Sequence, residues 1–248
     1  MSVTADTHSS VPSPTGALRP SLPAWGLFGR FLLIGIGEIL VVPFPWVAVD
    51  FYKFACDRVA LPDGRRLEFT GRGGDIWYIF MAIPGLIWVL EAVELTVMFR
   101  SGDPVAFAQS SEAYLFNVLG FAANIVFAAL SIQIFRWFVS HVKSQDGALS
   151  LTFVGSILAF IGWSVLFFLS AFTIIGWAWV LKFMLRWTCR NVTGTLAFDF
   201  VGSGLSILWR SIVTWLACIF IIPIPWMMSW YVNWFVSQVS VAPPAARP

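Results

Sequence analysis

Three carboxylates, Glu38, Glu91 and Glu94, stand in stretches that are otherwise apolar. A charged group at membrane depth is expensive, and acids placed there commonly carry ions or protons. The three are therefore candidates for a cation or proton pathway, with Arg100 at the end of the segment that holds Glu91 and Glu94. Two structural readings compete with this. Glu91 and Glu94 then sit at an interface, and Glu38 turns into the helix bundle to meet a packing partner.

The bases form a second set. Arg30 lies thirteen residues before Pro43 and Arg210 thirteen before Pro223, while Lys182, Arg186 and Arg190 recur at every fourth position and share one helix face. These five are candidate contacts for lipid phosphate, or long side chains that snorkel toward water without specificity. Gly71, Gly155 and Gly202 precede helix starts, where free N–H groups attract anions. Backbone needs explain the glycines equally well, and Asp75, Ser156 and Ser203 read as helix caps. Asn117 and Asn124, seven apart, read as interhelical hydrogen-bond partners. Three Cys and two His make no zinc-type ligand set, no nucleophile–base pair stands out, and no cofactor is implied. A net charge of +2 gives no reason to expect nucleic acid.

The elements that must position these groups repeat. An aromatic residue is followed five positions later by Val and then by an apolar-x-Phe-x-Gly strand end: Phe54, Val59, Leu67-x-Phe69-x-Gly71; Trp137, Val142, Leu151-x-Phe153-x-Gly155; Trp187, Val192, Phe198-x-Phe200-x-Gly202. A fourth copy stops at Trp234 and Val239. Cys56 and Cys189 occupy the same repeat position and read as packing residues. The alternation and the turn residues Pro62-Asp63-Gly64 and Asp146-Gly147 predict three short β-hairpins. Between them the chain is strongly apolar. It is 58% hydrophobic and 11% charged, too little polar surface to cover a water-soluble globule of this size, so lipid is its expected solvent.

Pro43-Phe44-Pro45-Trp46 and Pro223-Ile224-Pro225-Trp226 break apolar runs at matching offsets, so the runs read as helix pairs. Helices are expected near 24–42, 45–58, 74–98, 112–141, 155–171, 175–190, 203–222 and 226–240. The fold expected is an all-α polytopic membrane protein: about eight transmembrane helices in pairs, joined by three cytoplasmic β-hairpins. Nearly every base then lies on one side, with Arg100 the exception, which places the hairpins and both termini in the cytoplasm. In a competing arrangement, segments 45–58 and 175–190 lie on the membrane surface. Residues 1–23 and 241–248 read as disordered tails around a single membrane domain, 24–240, and the first of them lacks the apolar core of a signal peptide.

Pro45-Trp46, Trp179, Arg186-Trp187, Asn191-Val192-Thr193 and Phe200-x-Gly202 resemble the pattern of the YjgN-type bacterial inner-membrane proteins, a domain family of unknown function, over most of residues 27–240. The resemblance implies repeated units in a bacterial inner membrane and carries over no catalytic residue. Two functions are expected from the whole. The first is a non-enzymatic scaffold or accessory subunit whose hairpin layer meets lipid, a protein partner or another copy of the chain. The alternative is a small transporter or channel using Glu38, Glu91 and Glu94.

Overall fold

The structure, a computed structural model, describes residues 15–244. Its organising contact is the pairing of each repeated strand end with the repeated Val. β2 (Arg19–Pro20) pairs with β3 (Val59–Ala60), β4 (Leu67–Phe69) with β5 (Val142–Ser144), β6 (Leu151–Phe153) with β7 (Val192–Gly194), and β8 (Ala197–Phe200) with β9 (Val239–Ala242), all antiparallel. The register is the same each time: Pro20 opposite Val59, Phe69 opposite Val142, Phe153 opposite Val192, Phe200 opposite Val239. Each pair encloses two main helices, so the chain is four strand–helix–helix–strand units.

This corrects the three hairpins expected from sequence. The turns exist, with Gly64 N–H donating to Leu61 O at 2.9 Å and Gly147 N–H to Ser144 O at 2.8 Å. Across the first turn, however, strand pairing is reduced to one bridge, Ala60 to Arg66. All three turns carry the chain from one unit to the next. Aromatic packing explains the choice. Phe69 packs edge-on against Trp137, centroids 5.2 Å apart, and stacks on Phe138 at 5.4 Å. Phe153 meets Trp187 edge-on at 6.0 Å. Each Phe reaches these rings only when its strand lies beside the Val that follows the same helix. The glycine two residues on makes room: a Cβ on Gly71 would stand 2.6 Å from both Phe69 and Trp137. Close approach, not an unusual φ, is what Gly71 is needed for.

The N-terminal segment closes the ring. β1 (Gly16–Ala17) pairs with β9, and Leu18 N–H donates to Val239 O at 2.9 Å. β2 follows at once and pairs with β3. Leu18 thus takes the place held elsewhere by Leu67, Leu151 and Phe198, and Pro20 that of the Phe. The expected N-terminal tail instead supplies two short strands, 16–17 and 19–20, with Leu18 and Leu22 buried. The expected C-terminal tail likewise contributes residues 241–242 to β9. Residues 1–14 and 245–248 of those tails lie outside the described residues.

The helices are α1 (Ala24–Leu40), α2 (Phe44–Asp57), α3 (Trp77–Ser101), a single turn α4 (Pro104–Ala108), α5 (Ser111–His141), α6 (Ile157–Ser170), α7 (Trp177–Arg190), α8 (Gly204–Cys218) and α9 (Ile224–Ser237). Partners within a unit pack together, and neighbouring units meet through α2 and α3, α5 and α6, α7 and α8, and α9 and α1. The main core lies where the strand layer meets the helix ends, around Leu61, Ile132, Phe153 and Val241.

Length separates the helices. α3 and α5 have 25 and 31 residues, about 37 and 46 Å at 1.5 Å per residue. They are the two described helices long and apolar enough to cross a membrane. The other main helices have 14 to 17 residues, about 21–26 Å, against a hydrocarbon core of ~30 Å. Eight crossings are therefore not supported. The apolar runs contain the expected helices, but tight turns use up residues that spanning would need. Two of these turns are γ-turns. Val41 and Ile174 both have φ 61°, closed by Val42 N–H to Leu40 O at 2.7 Å and Ile175 N–H to Thr173 O at 2.6 Å. Positive φ is disfavoured for β-branched residues, so these turns trade local strain for a narrow tip. The tips are apolar and bare: Ile174 is 82% exposed and Ile222 83%.

Candidate functional site

The strand layer positions charged residues at its edge through helix ends. Arg136, one residue before Trp137, donates from Nη2 to Gly155 O at 2.8 Å. Arg186, in the same repeat position, donates from Nε to Phe200 O at 3.3 Å. In each case an arginine near the C-terminal end of a unit's second main helix grips the first strand, or the joint beyond it, of the next unit. Arg190 adds two bonds to the carboxylate of Asp199, at 3.3 and 3.4 Å, and Arg186 lies 3.6 Å from it. The basic stripe read from sequence is thus partly neutralised by Asp199. Lys182, one turn back, is half-buried with its ammonium 5.4 Å from the Phe183 ring.

Between units, two turns are tied by Arg65. Its Nε reaches Asp63 at 2.7 Å and its Nη1 reaches Asp146 at 2.7 Å. Asp146 also accepts from the Ser144 hydroxyl and from Ala148 N–H. These bonds, the Ser144 hydroxyl first and then the Arg65 guanidinium, stabilise the carboxylate and push its pKa down to about 2. Asp63 and Asp146 read in the sequence as turn residues alone; their spacing of 83 positions gave no signal of a shared partner.

On the ring axis the helix ends leave an apolar chamber of about 310 Å³. One repeat position, two after the aromatic, supplies Cys56, Val139, Cys189 and Val236; the next supplies Val59, Val142, Val192 and Val239. The packing role expected for Cys56 and Cys189 fits this lining, and among the described residues no group of three His, Cys, Asp or Glu side chains is placed to hold a metal.

None of the three glutamates lines this chamber. Glu38 is exposed on the outside of α1, which corrects its expected inward orientation; the buried residues of α1 are Leu27 and Gly37. Its backbone carbonyl accepts the Trp88 indole N–H at 3.2 Å, which brings α1 beside the stretch of α3 carrying Glu91. Glu91 is exposed and Glu94 half-buried. Asn117 and Asn124 bond within their own helix, to Ala113 O at 2.9 Å and Gly120 O at 2.8 Å, rather than to a neighbour. Of the three expected caps, Ser203 accepts from Ser206 N–H at 3.1 Å. Ser156 makes no side-chain cap bond, and Asp75 accepts from Arg72 N–H before α3 begins.

The two equivalent arginines differ most. Arg30 lies with Nε 3.0 Å from Asp50, out of line for a hydrogen bond, so the contact is an ion pair; Nη1 donates to Gly26 O at 3.3 Å, and the guanidinium lies 3.9 Å over the Phe54 ring. Arg210 lies 4.5 Å over Trp209, 5.5 Å over Trp230 and 4.3 Å over Trp234. Its Nε is buried without a hydrogen-bond partner. Comparison of the chain with family models, with curated proteins and with solved structures finds no match.

Proposed function

We propose that this chain is a non-enzymatic membrane scaffold. The α3–α5 pair crosses the bilayer, the three short pairs enter it from one face, and the closed strand ring lies on that face. The observation that carries this reading is the segregation between the tips of the third and fourth pairs and the strand layer. Bare apolar tips at Ile174 and Ile222 lie at one end, and the charged turns of Arg65, Asp63 and Asp146 lie beside the strands at the other. Apolar tips of this kind are stable in lipid and costly in water. The concentration of bases near the strands supports a cytoplasmic ring by the positive-inside rule. The resemblance to YjgN-type proteins agrees with a bacterial inner membrane. The repeated residues pack, turn and tie units together, which is the work of a scaffold. Its partners in this reading are membrane lipids and a protein, or a second copy, docked on the ring.

The test is cysteine mapping in inverted and right-side-out membrane vesicles, on a background with Cys56, Cys189 and Cys218 replaced. A cysteine at Gly64 should react with a membrane-impermeant maleimide from the cytoplasmic side only. One at Ile174 should react from neither side. Reaction at Ile174 from the outer side would mean that the short pairs cross, and release of the protein by alkaline carbonate would end the membrane reading altogether. Transport is the second reading, favoured by the Trp88–Glu38 contact that brings α1 beside α3. Proton or cation flux into liposomes that is lost in Glu91→Gln would support it over the scaffold.

A further inference from the structure

The fourth helix pair keeps an aromatic ring against its arginine, Trp234 where the first has Phe54, but departs from it at the other positions around Arg210. Equal offsets from the paired prolines make Arg210 the counterpart of Arg30, Trp230 of Asp50, Trp234 of Phe54, Ser211 of Phe31, Tyr231 of Phe51 and Thr214 of Ile34. In the first pair, Phe31 and Phe51 pack at 5.3 Å and the arginine faces a carboxylate. In the fourth, the packed rings are replaced by a hydrogen bond between the Ser211 and Tyr231 hydroxyls at 2.9 Å. The carboxylate is replaced by an indole. Thr214 Oγ1, one turn beyond Arg210 on α8, is buried with no partner, as is Arg210 Nε. Among the described residues, none of the Arg210 N–H donors has a protein acceptor and no acid pairs with it.

A guanidinium enclosed by rings loses water from its faces, and the rings return only part of what it loses. Its remaining demand is for an anion whose oxygens match the planar fork, and phosphate is such an anion. Arg210 stands six residues into α8, about 9 Å from the start of the helix, among tryptophans of the kind that populate the membrane interface. We infer that Arg210, caged by Trp209, Trp230 and Trp234, binds the phosphate of a phospholipid headgroup, whereas Arg30 is already neutralised by Asp50. The phosphate chemistry follows from the cage; the choice of a lipid over free phosphate rests on the membrane reading above.

The test titrates the full-length protein, purified in phosphate-free detergent, with dihexanoyl-phosphatidylglycerol and, in parallel, with inorganic phosphate, following each by phosphorus NMR. The lipid signal should broaden saturably and the inorganic one should not. Arg210→Gln should weaken the lipid effect about tenfold or more, the scale of a lost charged hydrogen bond. Trp230→Asp, which rebuilds the arrangement of the first pair, should produce the same loss while keeping Arg210. Two variants acting in opposite chemical ways keep the test decisive if one fails to fold. Unchanged broadening in both would overturn the site. Inorganic phosphate binding as tightly as the lipid would overturn the lipid assignment and leave a free-anion site. Resistance to carbonate extraction, measured on the same protein, separates failure of the site from failure of the membrane reading.

Discussion

The first and fourth helix pairs share a backbone plan and an arginine at the same position, yet they settle that arginine's charge in different ways. In the first, Asp50 lies 3.0 Å from Arg30. In the fourth, Trp230 stands where the acid would be and Arg210 is left among three indoles. Conversely, the residues that hold the units in their ring hardly vary: Phe69, Phe153 and Phe200 face Val142, Val192 and Val239 in one register. The lesson is a division of labour. Positions facing the strand layer define the architecture and tolerate little change, while positions on the helix faces are free to diverge between units and so to acquire separate roles.

That division predicts where substitution hurts. Phe200 is fully buried at a shared position, so Phe200→Ala should cost about 3–5 kcal/mol, read as a large drop in thermal midpoint of the purified protein in detergent. Gly71→Ala, which puts a methyl group 2.6 Å from Trp137 and Phe69, should cost about 1–3 kcal/mol through overpacking; an unchanged midpoint would show that the shared joint is looser than its contacts. On the divergent faces effects should be smaller. Tyr231→Phe removes the hydroxyl bonded to Ser211 and should cost about 0.5–1.5 kcal/mol.

Asp50→Asn, in the counterpart pair, should cost under about 1 kcal/mol, because the Asp50 side chain is 56% exposed and solvent screens the pair. A cost as large as that of Phe200→Ala would erase the distinction between shared and divergent positions. The smallest effect is expected at the exposed turns. Asp146 titrates near 2 in the folded chain, below its ordinary 3.8. Its contribution is therefore present above pH 3.8 and is lost as pH falls through about 2. Asp146→Asn should remove that part of the acid dependence, seen as a flatter midpoint-versus-pH curve over this range, by lowering the midpoint slightly above pH 3.8 and leaving it unaltered below about 2.

Much of this architecture was legible before the structure. The aromatic-to-Val spacing, the Pro-Trp breaks and the apolar-x-Phe-x-Gly ends announced repeated helix pairs with short strands, because periodicity and turn chemistry act over a few residues. The equivalence of Arg30 and Arg210 was legible for the same reason. What separated them was not, since Asp50 and Trp230 lie twenty residues from the arginines they face and matter only once the helices fold back. Glu38 shows the limit of reading burial from a hydrophobic neighbourhood: in a chain this apolar, the outer face is as hydrophobic as the inner, and the pattern no longer says which way a side chain points.

The sequence by itself determined the number and order of the main helices, the short strands between residues 59 and 200, the turn residues, and the membrane-like composition, all consequences of local propensity and hydrophobic pattern. Only the tertiary structure decided that Phe69 pairs with Val142 rather than across its own turn, and that residues 16–20 complete a ring closed on Val239. It alone decided that most of the main helices stop short of a bilayer's thickness. Strand partners are chosen by the aromatic rings they bury, and those rings arrive from helices tens of residues away, a distance over which no local pattern carries information.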